Sequence, residues 1–476
     1  MVNKLFKFDN KINYYSFIPF LVLSVIYLSY AFASIHGQPN IDYPYYFDAR
    51  NYWKLGKRFL DPDGNFALLN YNSGYRGYLF PLINLLICQF ADFINVTQHT
   101  VVKCISSLGM AGLVSYILPM VFERICGKKV AIMPILLVGL VIFYFWRGFL
   151  LYPLTDFPAI TFLLLAYLLY PVKFNTSRVT SKTTRSVCSG IFLAATLIIR
   201  PAYQATIVFL TIFLLFKIAT GKKLFIQSQW KQLLLLIGGM TVILFPQYLI
   251  NSTHFNKHTP LVSSQGLFFK QLTWGMEVQR YETFVGDRND YPSASVRFID
   301  SKGKQIFDKE KQNLKKDNQY QWYLGLMVKY PAYFTSMYFT HFLNGLDIVY
   351  PTVYVKNLLK RSFLFSYINY SLWFFLIVFF IETKFFTRHK EKALLLFLII
   401  PPSLLAIPGA VETRFFLPMF LVLYVTVFFG ISIQYMKEHA RRLISNYLIF
   451  YVIAVVLWFK LSTTIFSTLV GICYVP

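Results

Sequence analysis

Charged residues are scarce in this 476-residue chain, at 14% of the total, and only 21 are acidic against 46 Lys and Arg. Hydrophobic residues make up 56% and aromatic residues 19%. A soluble domain rarely contains so much apolar sequence, whereas repeated apolar runs of about 18 to 25 residues are typical of transmembrane helices. The basic residues fall in short clusters between these runs, which argues against nucleic-acid binding and favours a multi-pass membrane protein.

Cysteine is also rare. The five cysteines lie within or at the ends of apolar runs, at positions 88, 104, 126, 188 and 473. This distribution gives neither a disulfide framework nor a metal-ligand spacing, so we expect buried thiols. The chain also lacks a glycine-rich phosphate loop, a His-Glu-x-x-His pair and a Gly-x-Ser-x-Gly turn. These absences argue against nucleotide-driven pumping and serine-type hydrolysis.

A calcium-binding loop is excluded in the same way. The stretch Asp61-Pro-Asp63-Gly-Asn65 resembles the start of such a loop. An EF-hand needs glycine at its sixth position and glutamate at its twelfth, where this chain has Phe66 and Asn72. We therefore interpret the stretch as a tight turn.

Clusters of Lys and Arg predict the topology, because short loops rich in these residues remain in the cytoplasm. If all six of these clusters lie in the cytoplasm, an even number of spans must separate each cluster from the next one along the chain. Eleven spans with an external C-terminus satisfy this condition, near residues 15–35, 98–122, 130–147, 153–171, 187–200, 201–217, 233–250, 363–381, 393–409, 413–433 and 446–470.

Two further apolar stretches, 77–94 and 331–350, contain polar residues, and we predict that they lie in the membrane interface, although spanning remains open. Two external segments follow, 36–97 and 251–362. The predicted fold is an all-α polytopic membrane protein of 10 to 13 helices, with 1–476 as a single membrane-embedded domain.

Several charged residues lie at the predicted external ends of spans: Asp48, Arg76, Asp156, Arg200, Glu412 and Arg414. A charge at mid-bilayer costs roughly 2.5 to 3.5 kcal/mol, so such groups tend to line polar cavities. We expect them to converge on one outward-facing cavity. Structural alternatives stay open: Asp48 as a helix N-cap, Asp156 as a first-turn carboxylate, and Glu412 paired only with Arg414.

The same residues resemble motifs of the GT-C superfamily of membrane glycosyltransferases, in particular the protein mannosyltransferase and aminoarabinose transferase types. The resemblance covers about residues 15 to 435 and is one of pattern and order. It is carried by Asp48-Ala49-Arg50-Asn51-Tyr52, similar to the family's Asp-Ala-x-x-Tyr, and by Tyr75-Arg76-Gly77-Tyr78-Leu79-Phe80-Pro81, Leu154-Thr155-Asp156, Ile199-Arg200-Pro201 and Glu412-Thr413-Arg414-Phe415.

This resemblance implies an inverting transfer of a sugar from a polyprenyl-phosphate donor to a glycan, lipid or protein acceptor, outside the cytoplasm at a plasma or inner membrane. Asp48 would be the general base. Arg76, then Arg200 and Arg414, would bind the donor phosphate. The residues implied to orient the substrates are Asp156, Glu412, Tyr52 and His254.

Two departures from the family pattern matter. Many members have two adjacent acids at this place, whereas in this chain Asp48 is followed by Ala49. A single carboxylate is a poor cation site, so no cofactor is expected. A divalent cation is not indicated, although its binding stays open. Many have Pro-Pro where Arg76 is followed by Gly77.

Two other functions stay open. The first is a glycan polymerase or ligase with polyprenyl-diphosphate donors, since His254, Lys257 and His258 open the second external segment. The second is a non-enzymatic lipid or glycan transporter. The lack of an inverted repeat in the sequence argues against this alternative.

Overall fold

A computed structural model of the chain describes residues 10–34, 45–170, 179–219, 223–262, 266–284, 294–315, 318–354, 362–383, 399–430 and 433–474. Helices dominate it. In chain order they are Asn10–Ala33, Phe47–Lys57, Leu79–Phe93, Gln98–Cys126, Ile132–Trp146, Asp156–Leu169, Val179–Ile199, Gln204–Ala219, Lys223–Phe255, Leu267–Glu277, Ser301–Glu310, Gln319–Lys329, Pro331–Gly345, Phe363–Thr383, Pro401–Leu404, Leu417–Gly430 and Ile433–Phe466.

Eight helices among the described residues are long and apolar enough to cross a membrane: Tyr15–Ala33, Gln98–Cys126, Ile132–Leu150, Lys182–Ile199, Trp230–Phe255, Phe363–Glu382, Thr413–Gly430 and Ser445–Ile465. The prediction of a helical multi-pass membrane protein is confirmed. All eight coincide with predicted spans. Two other predicted spans, 153–171 and 201–217, correspond to the shorter apolar helices Asp156–Leu169 and Pro201–Ile212. The eleventh, 393–409, lies partly outside the described residues, so the count of eleven stays a prediction.

The chain forms two compact units. The first comprises Met1–Ile35, Asn40–Phe143 and Phe149–Ser263, and the second comprises the remaining residues. In the first unit, helices Val179–Ile199 and Lys223–Phe255 approach closely through glycine. A Cβ on Gly190 would lie 2.0 Å from the Leu236 carbonyl oxygen, and one on Gly239 would lie 2.1 Å from that of Val187. Small residues at such contacts allow membrane helices to pack backbone to backbone.

The two stretches predicted to lie in the interface form the helices Leu79–Phe93 and Pro331–Gly345, each of 15 residues. At a rise of 1.5 Å per residue each is about 22 Å long, shorter than a hydrocarbon core of about 30 Å. The helix Asp156–Leu169, at a predicted span, is no longer than either of them, so length does not separate interfacial from spanning helices, and the position of both stretches relative to the membrane stays a prediction.

A three-stranded antiparallel sheet in the second unit was not predicted. Strand β2 (Ala294–Ile299) pairs with β1 (Val278–Phe284) on one side and with the C-terminal strand β3 (Leu469–Tyr474) on the other. Hydrogen-bonded strands must lie on the same side of a membrane, so an even number of spans separates β2 from β3. The four spans predicted between them meet this condition.

Candidate functional site

Asp48 lies at the start of helix Phe47–Lys57 and pairs with Arg76. The helix is capped by Tyr46 without a side-chain bond, and Asp48 is in its first turn, so the N-cap alternative for Asp48 is wrong. The Asp48 Oδ1 accepts a hydrogen bond from Arg76 Nη2 at 2.9 Å, with side chains 27% and 31% exposed. Its place in the first turn puts the Asp48 carboxylate at the positive end of the helix dipole.

The backbone around Arg76 is held by its neighbours in the fold. The Tyr71 hydroxyl donates to the carbonyl oxygens of Arg76 at 2.9 Å and Gly77 at 3.2 Å. A Cβ on Gly77 would lie 2.1 Å from the Ile198 carbonyl oxygen. Only glycine allows this close approach of the two backbones.

Asp156 and Arg200 form a second, more buried pair. Arg200 Nη1 donates to Asp156 Oδ1, with side chains 18% and 3% exposed respectively. Asp156 is the first residue of its helix, as expected from the macrodipole. Its Oδ2 is buried and has no hydrogen-bond partner among the described residues. A carboxylate oxygen in this state is an acceptor for a ligand hydroxyl or a water.

Tyr52 connects the two pairs. The Arg76 guanidinium carbon lies 5.1 Å from the centroid of the Tyr52 ring, a cation–π contact. The Tyr52 hydroxyl lies 3.5 Å from Thr155 Oγ1, and Thr155 directly precedes Asp156. Within the first unit the structure thus brings together five of the predicted site residues: Asp48, Tyr52, Arg76, Asp156 and Arg200.

His254 lies elsewhere in the first unit, at the end of helix Lys223–Phe255. Its Nε2 is 2.6 Å from the Leu69 carbonyl oxygen, which places it beside the segment that follows the Asp61 turn. Nearby, Asn251 begins an Asn-x-Thr sequence but is fully buried and donates to the carbonyl oxygens of Thr259 and Leu261. Asn251 is therefore a structural residue rather than a glycan acceptor.

Glu412 and Arg414 belong to the second unit. Arg414 Nε donates to Glu412 Oε2 at 2.6 Å, and both side chains are buried. Thr283 Oγ1 lies 3.5 Å from the other Glu412 oxygen. The predicted pairing of these two residues is therefore present, but the alternative in which Glu412 pairs only with Arg414 is wrong, because Glu412 also contacts Thr283.

The second unit also contains a buried ionic cluster that was not predicted from the sequence. Arg280, 1% exposed, donates to Glu282 Oε1 at 2.6 and 2.9 Å and lies 3.5 Å from Asp347 Oδ2. Asp347 also accepts from the hydroxyls of Tyr370, at 2.7 Å, and Ser462. Side chains two residues apart on a strand lie on the same face. The Arg280-x-Glu282 spacing would therefore have indicated this contact if the strand had been predicted.

Electrostatics in this cluster reflect its burial. Burial lowers the pKa of Arg280, but Glu282 and Asp347 outweigh it and hold this pKa above the ordinary value. Burial raises the pKa of Glu282 even beside Arg280. The cluster is thus a set of charges that must balance one another, because water does not reach them.

Among the described residues no group of three or more His, Cys, Asp or Glu is placed to hold a metal ion. No family model, curated protein or solved structure matches the chain.

Proposed function

We propose that the protein is an inverting membrane glycosyltransferase that moves a sugar from a polyprenyl-phosphate donor to an acceptor hydroxyl. The observation that carries this proposal is the partly exposed Asp48–Arg76 pair, linked through Tyr52 to the buried Asp156–Arg200 pair. A base and a phosphate-binding cation are the two groups that this reaction needs most.

In this proposal the Asp48 carboxylate accepts the proton of the acceptor hydroxyl as that oxygen attacks the anomeric carbon. The bond from the anomeric carbon to the phosphate oxygen breaks in the same step, and the lipid phosphate leaves with the electron pair. A single displacement inverts the anomeric configuration.

Arg76 meets the charge of the leaving phosphate. A guanidinium has five N–H donors, so Arg76 can bind a phosphate while it still contacts Asp48. In this arrangement the Arg76 guanidinium contacts both the base, Asp48, and the leaving phosphate. Because both side chains are partly exposed, a substrate can reach them without unfolding of the site.

Asp156 is proposed to orient a hydroxyl of the donor sugar, because its Oδ2 is buried and lacks a partner among the described residues. Arg200 fixes this carboxylate and contributes positive charge. The predicted substrate roles of Glu412 and Arg414 stay predictions, since their pair belongs to the second unit. We further propose that the reaction faces the extracytoplasmic side, as the positive-inside distribution predicts.

Mass analysis of envelope glycans and glycolipids from cells with and without the protein tests the proposal. We expect loss of one sugar from one class of glycan, together with accumulation of the matching polyprenyl-phosphate sugar. Identical glycan and lipid profiles in the two kinds of cell would contradict glycosyl transfer.

A further inference from the structure

A polar cleft of about 530 Å³ opens in the first unit, beside the turn at Asp61. It is lined by Arg58, Asp61, Asn70, Asn72 and His254, together with apolar side chains such as Leu69. Clefts of roughly 300 to 1,000 Å³ are typical of sites for small ligands. None of the chemical steps proposed above uses this cleft.

Internal hydrogen bonds fix the walls of the cleft. Asp61 Oδ1 and Oδ2 accept from the backbone and side-chain nitrogens of Asn65 at 2.7 and 3.2 Å, which confirms the predicted tight turn and holds the pKa of Asp61 below its usual value. Arg58 Nη1 donates to Asn72 Oδ1 at 2.7 Å. The polar groups are therefore held before any ligand arrives, which lowers the entropy lost on binding.

The chemistry of the lining fits a saccharide. A guanidinium, a carboxylate, two amides and an imidazole supply planar donors and acceptors that match the paired hydroxyls of a sugar ring. The apolar side chains offer contact to the C–H groups of that ring. Arg58 and Asp61 carry opposite charges, so the cleft favours a neutral ligand over a phosphate or an acidic glycan.

The cleft is joined to the Asp48–Arg76 pair through the backbone. Arg58 caps the C-terminus of the helix whose first turn contains Asp48, so the two residues are about 15 Å apart along the helix axis. Tyr71, between Asn70 and Asn72, donates to the carbonyl oxygen of Arg76. That separation is longer than one monosaccharide, so a sugar in the cleft is not the one that reacts at Asp48.

We propose that this cleft is a subsite for a distal sugar of a neutral oligosaccharide acceptor, an inference that rests on the proposed glycosyl transfer. This proposal makes the acceptor a glycan, out of the glycan, lipid and protein acceptors that the sequence left open. Substrate contacts remote from the reacting centre contribute binding energy that improves transfer, so longer acceptors gain from the cleft and shorter ones do not.

Binding is tested with the purified full-length protein in nanodiscs on an array of neutral and acidic oligosaccharides of increasing length. We expect binding of neutral oligosaccharides above a minimum length, reduced at least tenfold by Arg58→Met and by Asn72→Leu. The matched control is Lys57→Met, an exposed basic residue beside Arg58 that does not line the cleft and should bind as the unsubstituted protein does.

Absence of neutral-glycan binding, preference for acidic glycans, or binding unaffected by both cleft substitutions would overturn the subsite. An Asp48→Asn variant separates this proposal from the previous one, because it should bind the array normally while transfer is lost. If Asp48→Asn transfers normally but the cleft variants lose binding, the catalytic assignment fails and the subsite stands.

Discussion

The Asp48–Arg76 pair of the first unit and the Arg280 cluster of the second unit differ in their exposure to solvent. In the first unit the Asp48–Arg76 side chains are 27% and 31% exposed, whereas in the second unit Arg280, Glu282 and Asp347 are 1 to 9% exposed. A partly exposed pair loses little when it separates, so it can exchange its partner for a substrate. A fully buried cluster cannot exchange a partner in this way, because removal of one member leaves another charge buried without a counter-charge. Exposure, rather than the presence of charge, therefore separates the proposed base Asp48 and its partner Arg76 from the structural Arg280 cluster.

The strongest effect on stability is expected from Arg280→Met. This change leaves Glu282 and Asp347 without their shared cation and should lower the free energy of unfolding by about 3 to 5 kcal/mol. Thermal unfolding in detergent measures it. Lys302→Met, at an exposed position on helix Ser301–Glu310, is the matched control and should change stability by less than about 0.5 kcal/mol. Equal stability of the two variants would show that the cluster is not structural.

Acid should destabilise the second unit through His341. This residue is fully buried; its Nδ1 lies 2.7 Å from the Ile407 carbonyl oxygen, and its Nε2 has no partner among the described residues. Burial lowers its pKa from 6.5 to about 4. The unfolded chain therefore takes up a proton first, so the stability is complete above about pH 6.5 and falls as the pH drops toward 4, by up to about 3 kcal/mol.

Unfolding measured between pH 4 and pH 7 tests this window. His341→Gln has no titratable group at this position, so its stability should depend less on pH in that range. An unchanged pH dependence in the variant would assign the acid sensitivity to other groups.

Gly77→Ala tests how the first unit positions Arg76. Its added Cβ meets the Ile198 carbonyl oxygen, and the forced shift should cost about 1 to 3 kcal/mol of stability and weaken transfer. Gly109→Ala is the matched control, because open space surrounds its Cβ on a helix and the change should be neutral or stabilising. The same result for both glycines would mean that the Gly77 contact does not position Arg76.

Arg76→Ala should affect stability least. The lost pair is partly exposed, so we expect a change of about 1 kcal/mol or less. Binding of the polyprenyl-phosphate donor should weaken about ten- to a hundredfold, since hydrogen bonds to charged groups contribute roughly 1.5 to 3 kcal/mol. Lys54→Ala, at an exposed position on the same helix as Asp48, is the control. An unchanged donor affinity would leave Arg76 with a structural role.

Periodicity and length predicted much of the membrane part of the fold, because a span needs about 20 apolar residues and such runs are visible in one sequence. The sheet could not be predicted in this way. Its third strand, Leu469–Tyr474, follows a 34-residue helix and pairs with residues more than 170 positions earlier. No local pattern encodes a pairing over that distance.

The residues of the candidate site also fall into two groups, those that the sequence indicated and those that only the structure brings together. Asp48, Arg76, Asp156 and Arg200 were selected because charges at the ends of apolar runs are unusual, and the structure pairs them two by two. Arg280 and Asp347 were missed because their contact joins residues 67 positions apart. Arg58 and Asn72 were likewise unremarkable until the turn at Asp61 brought them into one cleft.

The most direct test of the central claim is the rate of sugar transfer by Asp48→Asn, measured together with its thermal unfolding. Membranes of cells that lack the protein supply the donor and acceptor, and mass analysis counts the sugar transferred. A general base contributes about 10²- to 10⁴-fold, so we predict a loss of that size with unfolding close to that of the unsubstituted protein. Transfer by Asp48→Asn at the unsubstituted rate would contradict the account.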